Sequence, residues 1–286
     1  MSENIANTSI VWKQIANMWN VYFTPPSRIS REEAEKYNGW LKQKKDNCNA
    51  ETALVLGATP EIRDILTKFN FKTTIVDINQ EMIEAMNSLL KTKNPDEVIV
   101  VSNWIETHLK SGQFDVVIGD AVLPNIPWDK RDLLLSEIHR LLKSNGVFIT
   151  RAFCIPKENK IKNLENLLNK FSDKKPTYKS ALELELELQI LSYDTKTHLA
   201  TFLKPKEMIA GIRNNERFNT GFENLNEILD IVWNFWSTKF IDKVFVYNYR
   251  DKEELEYQKY FEIVDVFESE DNEYSKITPM YVLRKK

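Results

Sequence analysis

The sequence predicts an α/β protein built on a mostly parallel sheet, with helices on both faces and a helical insertion ahead of its last two strands. Three observations predict it. From residue 52 to residue 153, short apolar runs alternate with helix-period segments, and strands that alternate with helices are joined by crossovers into a parallel sheet. A single glycine, Gly57, follows the first apolar run and opens a helix. At the far end, YFEIVDVFES (260–269) and ITPMYVLRKK (277–286) flank the polar turn EDNEY, the pattern of an antiparallel hairpin.

Taken in order, the segment 8–23 carries Val11, Ile15, Met18, Trp19 and Tyr22 at helical spacing and stops at the prolines of TPPS. Ser30 with Glu33 three positions later is a capping box, so a second helix is expected to run past Tyr37 and Trp40 towards Lys45. The first strand is Ala53–Leu56, and its helix starts at Thr59-Pro60-Glu61, with Thr as N-cap and Pro at the first helical position. KTTIVD ends the second strand at Asp77, followed by the helix QEMIEAMNSLLK. EVIVV (97–101) and FDVVIGD (114–120) are the third and fourth strands. The helix 129–143 is expected to start from an Asp129 cap and to close at Asn145-Gly146, and GVFITRAF (146–153) is the fifth strand. Residues 155–255 break the alternation and read as charged amphipathic helix. Within them ALELELELQI (181–190) alternates as a strand would, yet it is made of helix formers with no β-branched residue before Ile190. Helix is the expectation there, with strand as the alternative. The organisation expected is an N-terminal helical lid (1–50), a core (51–154), a helical insertion (155–255) and a closing hairpin (256–286).

The chain of 286 residues is long enough for one α/β core with embellishments. A net charge of −3 argues against a dedicated nucleic-acid binder. Cys48 and Cys154 form neither a disulfide framework nor a zinc cluster, and no metal site is expected. The histidines His108, His139 and His198 are scattered and fit surface or packing roles. The sequence carries no basic segment followed by an apolar run at its start and no apolar stretch near the ~18 residues of a membrane helix, so a cytoplasmic protein is expected.

The strand ends carry the chemistry. A dinucleotide loop needs three glycines to bring backbone N–H groups onto a pyrophosphate, and TALVLGATPEIRDIL has one. Gly57-Ala58-Thr59 therefore suits an adenosyl ligand without pyrophosphate better than a nicotinamide dinucleotide, although an ordinary strand-to-helix turn would look the same. The helix start still offers N–H groups to a carboxylate. Asp77 lies 20 residues after Gly57, where a carboxylate can accept from both ribose hydroxyls. Ile78 and Met82 would offer apolar surface to adenine. Asn103, after the third strand, can accept from the adenine amino group and donate to a ring nitrogen, and Trp104 beside it can stack or pack. Asp120 ends the fourth strand next to the first, where ligands of open α/β sheets bind. It can hold a ligand ammonium or take a proton from a substrate.

LVLGATPE, VDINQEM, SNW, FDVVIGDAV and LLKSNGVFITR, in this order and with the closing hairpin, resemble the class I S-adenosylmethionine-dependent methyltransferases. The resemblance covers 52–154 and 260–286. It departs from the usual acid-x-G-x-G-x-G loop, since the acid and the later glycines are missing. It implies a Rossmann-like sheet of seven strands with the last one antiparallel, S-adenosylmethionine as cofactor and S-adenosylhomocysteine as product. It further implies that Asp120 with Ala121 contributes to the cofactor site, that Asp120 is the candidate catalytic residue, and that 1–50 and 155–255 cap a small-molecule substrate. In that setting Trp19, Tyr22, Arg28 and Tyr37 would fold over the cofactor, Arg28 pairing with its carboxylate; the alternative is a hydrophobic helix packed on the sheet with Arg28 in solvent. Two other readings stay open: a methyltransferase-like binding or scaffold protein without catalysis, and a nicotinamide-dependent reductase.

Overall fold

A computed structural model describes residues 13–158, 161–214 and 216–286. The described residues divide into two compact units. One comprises Pro25–Cys154 and Tyr249–Lys286 together with described residues up to Asn17; the other comprises Met18–Thr24 and Ile155–Asn248.

The first unit is built on a sheet of β1 (Thr52–Leu56), β2 (Lys72–Asp77), β3 (Val98–Val101), β4 (Phe114–Asp120), β5 (Leu142–Arg151), β6 (Phe261–Phe267) and β7 (Met280–Lys285). The strand order is β6-β7-β5-β4-β1-β2-β3. The pairs β1–β2, β1–β4, β2–β3 and β4–β5 are parallel, and β7 runs antiparallel to both its neighbours. Helix α1 covers 13–22; the expected start of this helix at residue 8, with Val11, lies outside the described residues. Next come α2 (Arg31–Cys48), α3 (Pro60–Lys68), α4 (Gln80–Asn87) and α5 (Arg131–Leu141), and α10 (Arg250–Gln258) follows the second unit. The capping box of α2 forms as read: Ser30 Oγ accepts from Glu33 N, and Glu33 Oε2 accepts from Ser30 N. The core between sheet and helices is apolar, with Leu54, Val117, Phe148, Leu134 and Ile138 fully buried.

Helix α4 ends at Asn87, short of the expected Lys91, and β5 ends at Arg151 rather than Phe153; two further boundaries differ from expectation around α5. Helix α5 begins at Arg131, because Pro127 accepts from Lys130 N and winds Trp128–Lys130 into a tighter 3₁₀ turn; Asp129 lies inside that turn and caps nothing. The same helix stops at Leu141, and β5 starts at Leu142, four residues before the expected Gly146. Leu142 pairs with Phe114 and is buried, and a register shift between Phe114 and Val116 absorbs the exposed Ser144-Asn145. Burial of one leucine thus outweighs the turn preference of Asn-Gly.

The second unit contains α6 (Leu164–Phe171), α7 (Tyr178–Leu191), α8 (Leu203–Ala210) and α9 (Glu223–Ile231), the last running into a π-helical turn at Val232–Trp236. Its core gathers Leu184, Leu188, Ile228 and Leu229. The segment is not helical throughout as expected: Val244–Val246 pairs antiparallel with Leu199–Thr201, and Arg213–Asn214 with Arg217–Phe218. The leucine–glutamate run is helix α7, opened by a Thr177/Ser180 capping box. Its alternation spreads leucine round the whole cylinder, so the helix is buried on every side and its glutamates with it.

Candidate functional site

The parallel register brings the ends of β1, β2 and β3 to one edge: Leu56 pairs with Val76, and Asp77 with Val101. Gly57 turns the chain there with φ +93°, a conformation that L side chains rarely adopt. Space is not the constraint, since a Cβ on Gly57 would lie 3.6 Å from the Trp104 ring. The turn is pinned from beneath. The Val76 carbonyl accepts both Gly57 N–H at 2.9 Å and Trp104 Nε1–H at 2.7 Å, one donor per lone pair. Trp104 is therefore the support of the glycine turn, a role the sequence reading left between stacking and packing. Ala58 is buried. Thr59 sits at the N-cap of α3 without a side-chain cap bond, and Pro60 holds the first helical position. The leading N–H groups of such a helix have no partner within it.

Asp77 is 6% exposed, and its Oδ1 accepts from Asn79 N at 2.8 Å. Asn79 in turn caps α4 through Met82 N at 2.9 Å, so the acid and the helix behind it are set by one turn. Ile78 projects outward at 70% exposure and Met82 is half-buried. Asn103 is exposed, but its Oδ1 accepts from Ile105 N at 3.1 Å. This side-chain turn occupies an oxygen that the sequence reading assigned to adenine.

The fourth strand departs most from expectation. Arg151, at the end of β5 and 1% exposed, places Nε 2.8 Å from Asp120 Oδ1 and Nη2 2.9 Å from Asp120 Oδ2. Both carboxylate oxygens are thus held in a bidentate fork, and Asp120 is not poised as an open base or ammonium anchor. Arg151 Nη1 also reaches Glu33 Oε2 at 3.1 Å and the Arg28 carbonyl at 3.3 Å. Burial raises the pKa of Glu33 despite the pull of Arg151 and Ser30. Tyr37 is fully buried beside this group, its hydroxyl pushed well above the usual range by burial and then by the Asp120 charge. It is a core residue here and presents no surface to a ligand. Arg28 Nε pairs with Glu61 Oε1 at 2.6 Å, so the first turn of α3 already holds the guanidinium that was expected to meet a cofactor carboxylate. Ala121 is bent into the left-handed region at φ 48°, its N–H donating to the Arg151 carbonyl. Such a conformation costs roughly 1–3 kcal/mol for a residue with a Cβ and recurs at ligand sites. Gly119 is required by crowding, because a Cβ would come within 2.4 Å of Val122 and 3.0 Å of the Leu56 carbonyl. Cys154 is buried, and burial raises its thiol well above the usual range.

Arg151 was missed by sequence reasoning, though a signal exists. An arginine inside the apolar run FITRAF at a core-strand end demands a buried partner, and parallel pairing sets Ile118, Gly119 and Asp120 against Ile149, Thr150 and Arg151.

Comparison with known proteins places this geometry. The family model described as Methyltransferase domain matches residues 57–150. No curated protein matches the sequence. Among solved structures, the CcbJ methyltransferase of Streptomyces caelestis superposes with a TM-score of 0.57 at 12% identity, covering 96% of this chain and 97% of that one. The 1,6-didemethyltoxoflavin-N1-methyltransferase of Burkholderia thailandensis, seen with 1,6-didemethyltoxoflavin and S-adenosylhomocysteine, gives 0.51 at 12% identity over 100% of this chain and 89% of that one. A Rhodobacter sphaeroides protein provisionally named a Zn-dependent alcohol dehydrogenase gives 0.59 at 13% identity over 98% and 99%. At such identities the likeness is one of fold, and the activity of each neighbour stays its own. The matched stretch begins at the glycine turn and ends in β5, and with the reversed last strand the chain has the class I S-adenosylmethionine-dependent methyltransferase fold.

Proposed function

We propose that this protein transfers a methyl group from S-adenosylmethionine to a small-molecule acceptor. The observation that carries the reading is the edge formed by Gly57 and Asp77: a left-handed glycine turn tied to the Val76 carbonyl, with a buried carboxylate at the end of the adjacent strand. An adenosyl group fits these residues. Asp77 would accept from the ribose hydroxyls, Ile78 would cover one face of adenine, and the start of α3 would face the carboxylate of the amino-acid tail. When bound, the cofactor supplies an electrophilic methyl group for in-line displacement, so the protein's task is to orient and to exclude water. Asp120 we read as a positioning residue, fixing the end of β4 through Arg151. An acceptor that loses a proton would find its base elsewhere. The mildly acidic charge of the chain supports a small acceptor over a nucleic acid.

Calorimetric titration with S-adenosylhomocysteine tests the reading. Asp77→Ala is expected to weaken binding roughly 10- to 150-fold, from about 1.5–3 kcal/mol for hydrogen bonds to a charged group, with Asp77→Asn intermediate and unchanged circular dichroism. No heat and no thermal shift with S-adenosylhomocysteine or S-adenosylmethionine, alongside a shift with NAD, would turn the assignment to a reductase. Transfer of label from methyl-tritiated S-adenosylmethionine into a metabolite extract separates an enzyme from a binding protein, because binding without turnover favours the latter.

A further inference from the structure

The helical unit carries a cleft of about 450 Å³ between α6 and the start of α9, a volume within the range of small-molecule sites. Its floor is apolar. Leu164 and Leu168, one turn apart on α6, line it together with Ile212 and the buried Leu225 of α9. Leu164, Leu168 and Ile212 pack on the core of the unit yet stay half-buried, so each leaves apolar surface to the cleft.

Phe222 also lines the cleft and is 45% exposed. The turn that carries it is fixed by its own hydrogen bonds. Gly221 takes φ +85°, Thr220 N and Oγ1 donate to Asn226 Oδ1 at 3.0 and 2.8 Å, and Phe222 N donates to Thr220 Oγ1 at 3.3 Å. A wall set in advance spares a ligand the cost of ordering it.

The polar residues give the cleft a preferred charge. Glu165, Asn169 and Asn219 are exposed along it, and Glu165 is the one charged side chain among the described residues that line it. No lysine or arginine among the described residues pairs with Glu165. Asn169 follows Glu165 by four positions on α6, which sets an amide oxygen beside the carboxylate on one helix face. A carboxylate and amide oxygens accept hydrogen bonds, and an aromatic face attracts a cation. An anion would meet only like charge here.

We propose that this cleft binds a protonated apolar amine, an aryl or alkyl body that ends in an ammonium group. The body lies on Leu164, Leu168 and Ile212, and its burial supplies the bulk of the affinity. The ammonium donates to the Glu165 carboxylate and to the neighbouring amide oxygens, with the Phe222 ring at its side. This binding does not depend on the methyltransferase reading.

The test titrates the full chain by calorimetry with 4-phenylbutylamine, 4-phenylbutanol and 4-phenylbutyrate, which share a body and differ in the charge of the end group. We expect the amine to bind at least tenfold more tightly than the carboxylate, with the alcohol between them. Glu165→Gln should bring the amine down to the affinity of the alcohol and leave the alcohol unchanged. Phe222→Ser should weaken all three at least threefold. Both side chains are exposed, so each variant is expected to keep the circular dichroism of the wild type. Equal binding of the three compounds, no heat with any of them, or an amine preference that survives Glu165→Gln overturns the proposal. S-adenosylhomocysteine titrated into the same samples keeps the two readings apart. Amine binding without cofactor binding sinks methyl transfer and leaves this site standing, and the reverse sinks this site alone.

Discussion

At the scale of single residues, burial decides which polar groups work as ligands and which as struts. Asp120 looked like a site acid because it ends the fourth strand, yet its two oxygens are fixed by Arg151, and the same arginine reaches Glu33. Glu185 is the converse, a glutamate of the leucine–glutamate run that is buried with one oxygen unsatisfied. Its raised carboxyl leads to a prediction with a definite sign. The unfolded chain ionises this group near the ordinary glutamate value and the folded protein only near 8. Its contribution to stability is therefore fully present below about 4.5 and is lost as pH rises to 8. The titratable group that faces it is Tyr247, itself held protonated by burial and by Glu185. Glu185→Gln should gain on the wild type by a few kcal/mol over that interval and run parallel to it above 8, as read from urea melts at successive pH values. A constant difference from pH 5 to pH 9 would mean that the carboxyl titrates normally.

At the scale of elements, the last helix is locked to the sheet unit by charge as well as by apolar packing. Arg131 on α5, 2% exposed, donates to Glu253 on α10 at 2.6 Å and lies 3.1 Å from Glu256. Removing one partner strands a buried charge, which costs roughly 3–5 kcal/mol, whereas replacing both with apolar residues is often neutral. Arg131→Met should therefore destabilise strongly, and the double variant Arg131→Met, Glu253→Met should recover most of the loss. Additive losses in chemical denaturation would show that the pair is uncoupled. Elements were legible where neighbours in sequence define them: the capping box of α2, the Thr59-Pro60 start of α3 and the composition of α7 all gave the element found. They were misread where a distant strand intervenes, as at Leu142, whose pairing with Phe114 begins β5 early.

For the whole molecule, the sheet unit and the helical unit each have an apolar core of their own. If the site at Gly57 and Asp77 holds the cofactor, S-adenosylhomocysteine at a hundredfold excess over its Kd should stabilise the sheet unit by about 2.7 kcal/mol. Differential scanning calorimetry should show the transition containing that unit move upward, and Asp77→Ala should lose the shift at the same concentration. A shift that survives Asp77→Ala would place the binding elsewhere.

The sequence alone determined the order and kind of the elements of the seven-stranded sheet unit, the reversed closing strand and the alignment of Gly57 with Asp77, because periodicity, caps and strand ends are written in residues a few positions apart. Only the tertiary structure decided that Trp104 braces the glycine turn from 28 positions beyond Val76, that Arg151 closes on Asp120 across 31 positions and on Glu33 across 118, and that Glu185 is buried. Those choices follow from strand register and from which face of a helix is covered, and neither is fixed until the chain has folded back on itself.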